Sequence, residues 1–243
     1  KVWLLAGVTP DLKEPGDFIT HRHGHEEFLL VRHDDDQIRA FYNVCPHRGK
    51  RVCQVEHGNV PKFSCPFHGW QYHTNGKLAS ITDEETYDAD LIAHRPGLTE
   101  IRCDTIGGLI FINMDGNAPP LKEWIGLPEG YIENYEIEKM NVIRHVRTEW
   151  LANRKTGVEA FYESYHLPHI HPQTQGVMED FVQVDLYPNG FSRMIVPIGV
   201  KSHRLNDQET IDPYQTFMMM EAGIDPESFK GSAGDVRVAI HKA

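Results

Sequence analysis

The chain has 243 residues, enough for one large domain or two modest ones, and 40% of them are hydrophobic, an ordinary share for a chain that buries a core. Its net charge of −11 argues against general nucleic-acid binding, which needs clustered Lys and Arg. No run of about 18 apolar residues occurs, so no membrane span is expected. Four cysteines are too few for a disulfide scaffold of this length, and beside fifteen histidines they point to metal sites in a reducing, cytoplasmic compartment.

Lys1 to Val8 are too short and wrongly flanked for a signal peptide. The chain opens abruptly on an apolar run and stops at Ala243 without a closing signal, which leaves room for missing residues at either end. The first 115 or so residues read as mostly β. Phe28 to Arg32 and Ile38 to Asn43 are apolar runs around the charged turn His33 to Gln37, a hairpin. Thr74-Asn75-Gly76 marks a second hairpin, because Asn-Gly tolerates positive φ. A third pair of strands flanks Gly107-Gly108 and ends in Leu109-Ile110-Phe111-Ile112-Asn113. Short strands with regular turn signals suggest a small antiparallel barrel or sandwich.

Asn117-Ala118-Pro119-Pro120 reads as a linker, with a helix starting near Pro120, so the domain boundary is placed after residue 117. Beyond it, Asn141 to Thr148 alternates like a strand. Lys155 to His166 reads as a helix with Val158, Phe161, Tyr162 and Tyr165 on one broad face, stopped by Pro168. Phe181 to Tyr187 and Phe191 to Val196 form a hairpin around Pro188-Asn189-Gly190, and Tyr214 to Ala222 is a helix.

Two constellations carry chemistry. Cys45-Pro46-His47 and Cys65-Pro66-Phe67-His68 each place one Cys and one His in a tight loop after a strand. Two Cys and two His also suit a structural zinc site, but zinc ligands are more often grouped like with like. A mixed pair in each loop suits a Rieske [2Fe–2S] cluster, where two thiolates hold one iron and two imidazoles the other. Cys53 and Cys103 have no ligand partner nearby and read as buried small hydrophobes. In the second constellation, Glu163 and His166 are three apart on the expected helix and share a face. His171 is five further on, wrong for one straight helix, but a turn at Pro168 can swing it back towards His166. Two imidazoles and a carboxylate make the facial triad of non-haem Fe(II) oxygenases, although His-x4-His alone is a weak signal.

Cys45-Pro46-His47-Arg48-Gly49 and Cys65-Pro66-Phe67-His68-Gly69-Trp70-Gln71-Tyr72, with the Asn75-Gly76 turn, resemble the cluster-binding loops of the Rieske family. Asn153 to His166, followed by His171, resembles the iron-site helix of Rieske non-haem iron oxygenases, the catalytic α subunits of aromatic-ring-hydroxylating dioxygenases and their monooxygenase relatives. The resemblance implies an α+β fold: an all-β Rieske domain over residues 1–117, then a partial helix-grip catalytic domain with an antiparallel sheet over 118–243. It implies that Cys45, His47, Cys65 and His68 hold the cluster, that His166 and His171 hold a mononuclear Fe(II), and that Glu163 bridges to a cluster histidine of a neighbouring subunit. Electrons from NAD(P)H would arrive through a separate reductase or a ferredoxin. Dioxygen would be the co-substrate and a small aromatic compound the substrate, with cis-dihydroxylation the expected reaction in aromatic hydrocarbon catabolism. Cluster and iron of one subunit would lie far apart, so a homotrimer or higher ring is implied, with room for a small β subunit.

Three departures qualify the match. Glu163 stands where many ring-hydroxylating members have Asp, and is also similar to relatives that oxidise quaternary ammonium compounds or demethylate at O or N. Arg154 stands where Trp is usual. The third iron ligand, a late Asp in the family, is not placed: Asp207, Asp212, Asp225 and Asp235 lack a matching context. His169 has no transferable role. Phe161, Tyr162, Phe181 and Met218 to Met220 are candidate substrate walls, although such residues are more often core. A Rieske electron carrier without catalysis and a zinc-stabilised binding module are the competing classes.

Overall fold

In the computed structural model, residues 2–146 and 148–243 are described. They fall into two compact units, Lys1–Val146 and Arg147–Ala243.

The first unit contains β1 (Leu4–Val8), β2 (Asp17–His23), β3 (Glu26–Arg32), β4 (Ile38–Tyr42), β5 (His57–Asn59), β6 (Lys62–Ser64), β7 (Gln71–His73), β8 (Leu78–Ser80), α1 (Ala89–Ala93), β9 (Glu100–Ile106), β10 (Leu109–Asn113) and α2 (Leu121–Ile125). The larger sheet runs β1-β10-β9-β4-β3-β2-β5 and the smaller β6-β7-β8; both are antiparallel. The three hairpins expected from the sequence are present as β3–β4, β7–β8 and β9–β10. β1 and β2, distant in sheet order, approach each other: a Cβ on Gly7 would lie 2.6 Å from Ile19 Cδ1. The larger sheet therefore curls on itself.

β3 reads as a continuous apolar run because both its faces are buried. Phe28 and Leu30 pack with Ala6, Leu12, Ile110 and Ile112. Leu29 and Val31 face the other way, towards Phe41, Phe63, Trp70, Tyr72, Cys45 and Cys65. The second of these cores thus lies directly under the two Cys/His loops.

Packing carries the first unit past the linker. Trp3 Nε1 donates to the Pro119 carbonyl at 3.1 Å, Leu121 and Ile125 of α2 are buried, and Gly107 lies against Ile132. The proposed boundary at 117 is a composition break, whereas the compact unit continues to Val146. The strand expected over 141–148 is absent among the described residues: 141–146 and Thr148 are irregular and exposed, Ile143 at 98%, and Arg147 lies outside the described residues. Alternation supplies a face, but a strand also needs a ladder partner, and no described segment pairs with this one.

The second unit contains α3 (Arg154–Glu159), α4 (Leu167–Ile170), β11 (Gln183–Leu186), β12 (Ser192–Ile195), α5 (Pro213–Glu221) and α6 (Ala233–Lys242). The expected hairpin and the helix near 214 are present as β11–β12 and α5. The expected helix over 155–166 is shorter and ends at Glu159. Phe161, Tyr162 and Tyr165 are exposed, so no burial rewards its continuation. Pro168 does not stop a helix; it sits in the first turn of α4, where its missing N–H costs nothing. α6 was not anticipated, although Ser232 and Asp235 form the capping box that announces it. The unit is a mixed α+β arrangement, and the chain as a whole is α+β.

Candidate metal centres

The two Cys/His loops repeat one backbone design. In the first, the Cys45 N–H donates to the Lys50 carbonyl at 2.8 Å and the Gly49 N–H to the Cys45 carbonyl at 2.9 Å. In the second, the Cys65 N–H donates to the Trp70 carbonyl at 2.8 Å and the Gly69 N–H to the Cys65 carbonyl at 2.9 Å. Gly49 and Gly69 close the turns at φ +71° and +69°, where L side chains are strained. Buried Asn43 clasps the first loop: its Nδ2 donates to the Cys53 carbonyl at 2.9 Å and its Oδ1 accepts from the Cys53 N–H at 2.8 Å. Thr82 ties down the second by donating to the His68 carbonyl at 2.6 Å.

This design brings together the four side chains expected to meet. Cys45 and Cys65 are buried in the same core cluster. The His47 and His68 rings lie 4.6 Å apart by centroid. His47 stacks flat on Trp70 at 4.5 Å, and the Tyr72 hydroxyl lies 3.0 Å from Cys45 Sγ. Burial, with Cys45 adding to it, pushes the Cys65 thiol up. Burial and then the neighbouring His68, Arg48 and Arg95 hold His47 below the ordinary imidazole value. His47 Nδ1 is buried without a hydrogen-bond partner. A neutral imidazole with an orphaned ring nitrogen, on loops that also carry two buried thiols, belongs to a donor set suited to a metal.

The geometry also discriminates between metals. One tetrahedral ion needs its donors mutually close. Among the described residues, the only group of three or more such side chains whose donor atoms lie within 4.8 Å of one another is Glu179, Asp180 and His203. The four loop side chains instead fall into two groups, two thiols in one buried cluster and two adjoining imidazoles. That division fits two irons better than one zinc. Cys53 and Cys103 stand apart, half-buried, with burial pushing their thiols up to about 11 and about 12.

In the second unit, Asn153 caps α3, accepting from the Lys155 N–H at 2.9 Å. Past the end of α3, Glu163 accepts from the His166 backbone N–H at 3.1 Å and from His166 Nδ1. These bonds hold the Glu163 carboxyl below the usual carboxylate range, the His166 side chain contributing most. With Nδ1 engaged, His166 keeps Nε2 as its open donor atom. His166 and His171 flank the single turn of α4, and their rings meet edge to face at 5.5 Å. The turn at Pro168 thus does what a straight helix cannot. His169 is exposed.

The four late aspartates serve local structure. Asp207 accepts from the Glu209 and Thr210 N–H groups, Asp212 caps α5, Asp225 accepts from the Glu227 N–H, and Asp235 completes the α6 capping box. Buried Asp180 was missed by sequence reading. Its side chain accepts from Ser202 and Arg204, while its carbonyl accepts from Ser164 Oγ at 2.8 Å. Ser164 lies between Glu163 and His166, so this network anchors the turn that carries them. Of the candidate substrate walls, Met219 is core, while Phe161, Tyr162, Phe181 and Met220 are exposed.

Residues 2–95 match the model of the Rieske [2Fe-2S] domain family. The glycine betaine monooxygenase oxygenase subunit of Pseudomonas aeruginosa is 36% identical over 173 residues, 71% of this chain and 40% of that protein. The biphenyl 2,3-dioxygenase subunit alpha of Rhodococcus jostii is 38% identical over 132 residues, 54% of this chain and 29% of that protein. A solved quaternary ammonium Rieske monooxygenase, CntA, superimposes with a TM-score of 0.67 at 28% identity, covering 79% of this chain and 56% of that one.

The chain belongs to the Rieske oxygenase family. It spans about 40% of the length of the glycine betaine monooxygenase subunit, so the Rieske oxygenase relatives include sequence with no counterpart here. The matched domain covers both Cys/His loops. No helix among the described residues is long and apolar enough to cross a membrane.

Proposed function

We propose that this chain carries the cluster and iron-site residues of the terminal component of an oxygenase that hydroxylates a small aromatic ring, by cis-dihydroxylation. The observation that carries the oxygenase reading is the Glu163–His166 hydrogen bond beside His171, in a chain that also has the paired Cys/His loops. A carrier protein has no use for that second donor set. In this reading Cys45 and Cys65 hold one iron of a [2Fe–2S] cluster, His47 and His68 the other, and His166 and His171 the mononuclear Fe(II). When bound, these groups supply one-electron storage and dioxygen activation. The protein's own part is positional. Glu163 fixes the His166 ring and tautomer, the Ser164–Asp180 bond holds the turn, and two histidines from one short turn leave the remaining coordination positions open.

Exposed Phe161, Tyr162, Ile170 and Phe181 around this turn supply apolar surface for an arene. Electrons come from NAD(P)H through a separate reductase or ferredoxin. The assembly is a homotrimer or higher ring with room for a β subunit, in the cytoplasm, and neither nucleic acid nor membrane takes part. A second reading, monooxygenation of a quaternary ammonium compound, is favoured by Glu at position 163 and by the 79% coverage by the quaternary ammonium monooxygenase fold.

Turnover of an arene panel and a betaine panel by the full-length protein under labelled dioxygen separates the two. Both label atoms in an arene diol support dihydroxylation. One label atom, or formaldehyde release from a methylammonium compound, supports the second reading. About three irons per chain are expected; about two, with neither panel turned over, sinks the oxygenase in favour of a carrier.

A further inference from the structure

Arg95 belongs to neither motif, yet its guanidinium carbon lies 5.4 Å from the centroid of the indole on which His47 is stacked. Trp70 is buried, and His47 lies 3° from parallel with it. Arg95 is half-buried, its Nε is shielded without a hydrogen-bond partner, and among the described residues no carboxylate pairs with it. The cation is therefore uncompensated and held against an aromatic face, a placement that cation–π attraction favours. A guanidinium keeps its charge at any working pH. Arg48, the other cation near His47, is exposed and more fully screened by solvent.

We propose that Arg95 is a positioning residue for the [2Fe–2S] cluster: held on Trp70, the ring on which His47 stacks, its fixed charge raises the cluster's reduction potential. The inference rests on the ligand assignment above. Reduction adds one electron, one of two ferric ions becomes ferrous, and the donor is oxidised by the same electron. The site gains one negative charge, so a nearby fixed cation stabilises the reduced form more than the oxidised form.

The test is potentiometric titration of the full-length, cluster-bearing protein with dithionite as reductant, followed by visible absorbance and EPR. Arg95→Gln is expected to keep wild-type iron and sulfide content. Its midpoint should fall so that the electron partitions onto the cluster about fivefold less well, about 40 mV. Arg95→Lys, which restores charge without the planar fork, should recover most of that fall. A wild-type midpoint in Arg95→Gln overturns the proposal, as does a fall in Arg95→Lys as large as in Arg95→Gln. Loss of the cluster from either variant also overturns it, because Arg95 then serves assembly. A wild-type protein without a Rieske-type EPR signal contradicts the ligand assignment itself.

Discussion

The Tyr72 hydroxyl lies 3.0 Å from Cys45 Sγ, with both side chains buried in the core beneath the two loops. Burial, together with the nearby cysteines, pushes the Tyr72 phenol well above its ordinary value, so it stays protonated. When Cys45 is a thiolate, Tyr72 must therefore be the donor. A hydrogen bond to a ligand sulfur strengthens as the cluster gains charge, and so raises the potential. Tyr72→Phe should retain the cluster and lower the midpoint by about 1 kcal/mol, roughly fivefold in electron partition. A potentiometric titration checks this, and an unchanged midpoint means that the hydroxyl donates elsewhere.

Gly49 and Gly69 have nearly the same backbone conformation but different surroundings. A Cβ at Gly49 meets nothing within 4 Å, whereas one at Gly69 would lie 2.7 Å from Thr82 Oγ1. Gly49→Ala should cost only the left-handed strain, about 1–2 kcal/mol. Gly69→Ala should add a displaced Thr82 and a lost bond to the His68 carbonyl, for about 2–4 kcal/mol in total. Cluster retention on warming is the measurement. Equal losses in the two variants would show that Thr82 yields freely.

Glu163 touches His166 by side chain and by backbone acceptance, so its removal unlocks the ring without removing a proposed ligand. Glu163→Ala should keep the Rieske absorbance while weakening mononuclear iron affinity by about tenfold or more, the usual size of such support. Coupled turnover should nearly vanish. Iron titration and product yield per electron consumed are the readouts; wild-type coupling would remove Glu163 from its proposed role.

Several of these features were legible in the sequence because they are local. Each Cys/His loop packs two candidate ligands within four residues, and Asn75-Gly76 and Gly107-Gly108 announce turns without reference to the rest of the chain. The residues that support the loops were not legible. Asn43 clasps the first loop through Cys53, ten residues on, while Thr82 and Arg95 come from separate segments that only the folded unit brings close to the loops. The helix over 155–166 failed for a related reason. Its apolar periodicity promised a buried face, but Phe161, Tyr162 and Tyr165 find no covering surface among the described residues, and the Glu163 carboxylate takes the His166 N–H that a helix would use. α6 is the opposite case, since Ser232 and Asp235 carried a readable signal.

The Asp180 network makes stability of the turn that carries Glu163 and His166 depend on acid. Burial alone would raise this carboxyl, but hydrogen bonds from Ser202 and Arg204 outweigh it and hold the group below its ordinary value. A carboxyl depressed by folding contributes stability that is present above its unfolded value, about 3.9, and is lost as pH falls through the folded one. Asp180→Asn removes the charge while nearly preserving shape. At neutral pH it should lower protection of the Ser202 and Arg204 amides against hydrogen exchange by about 1–3 kcal/mol, since Arg204 is left facing a neutral amide. As pH falls below about 4 and on through the lower folded value, the wild type approaches the same neutral state, and the gap between the two proteins should close. A gap that stays level from neutral pH into that range would show that the carboxylate charge is not what fastens Asp180 to Ser202 and Arg204, and that the anchor beneath Glu163 and His166 depends on shape alone.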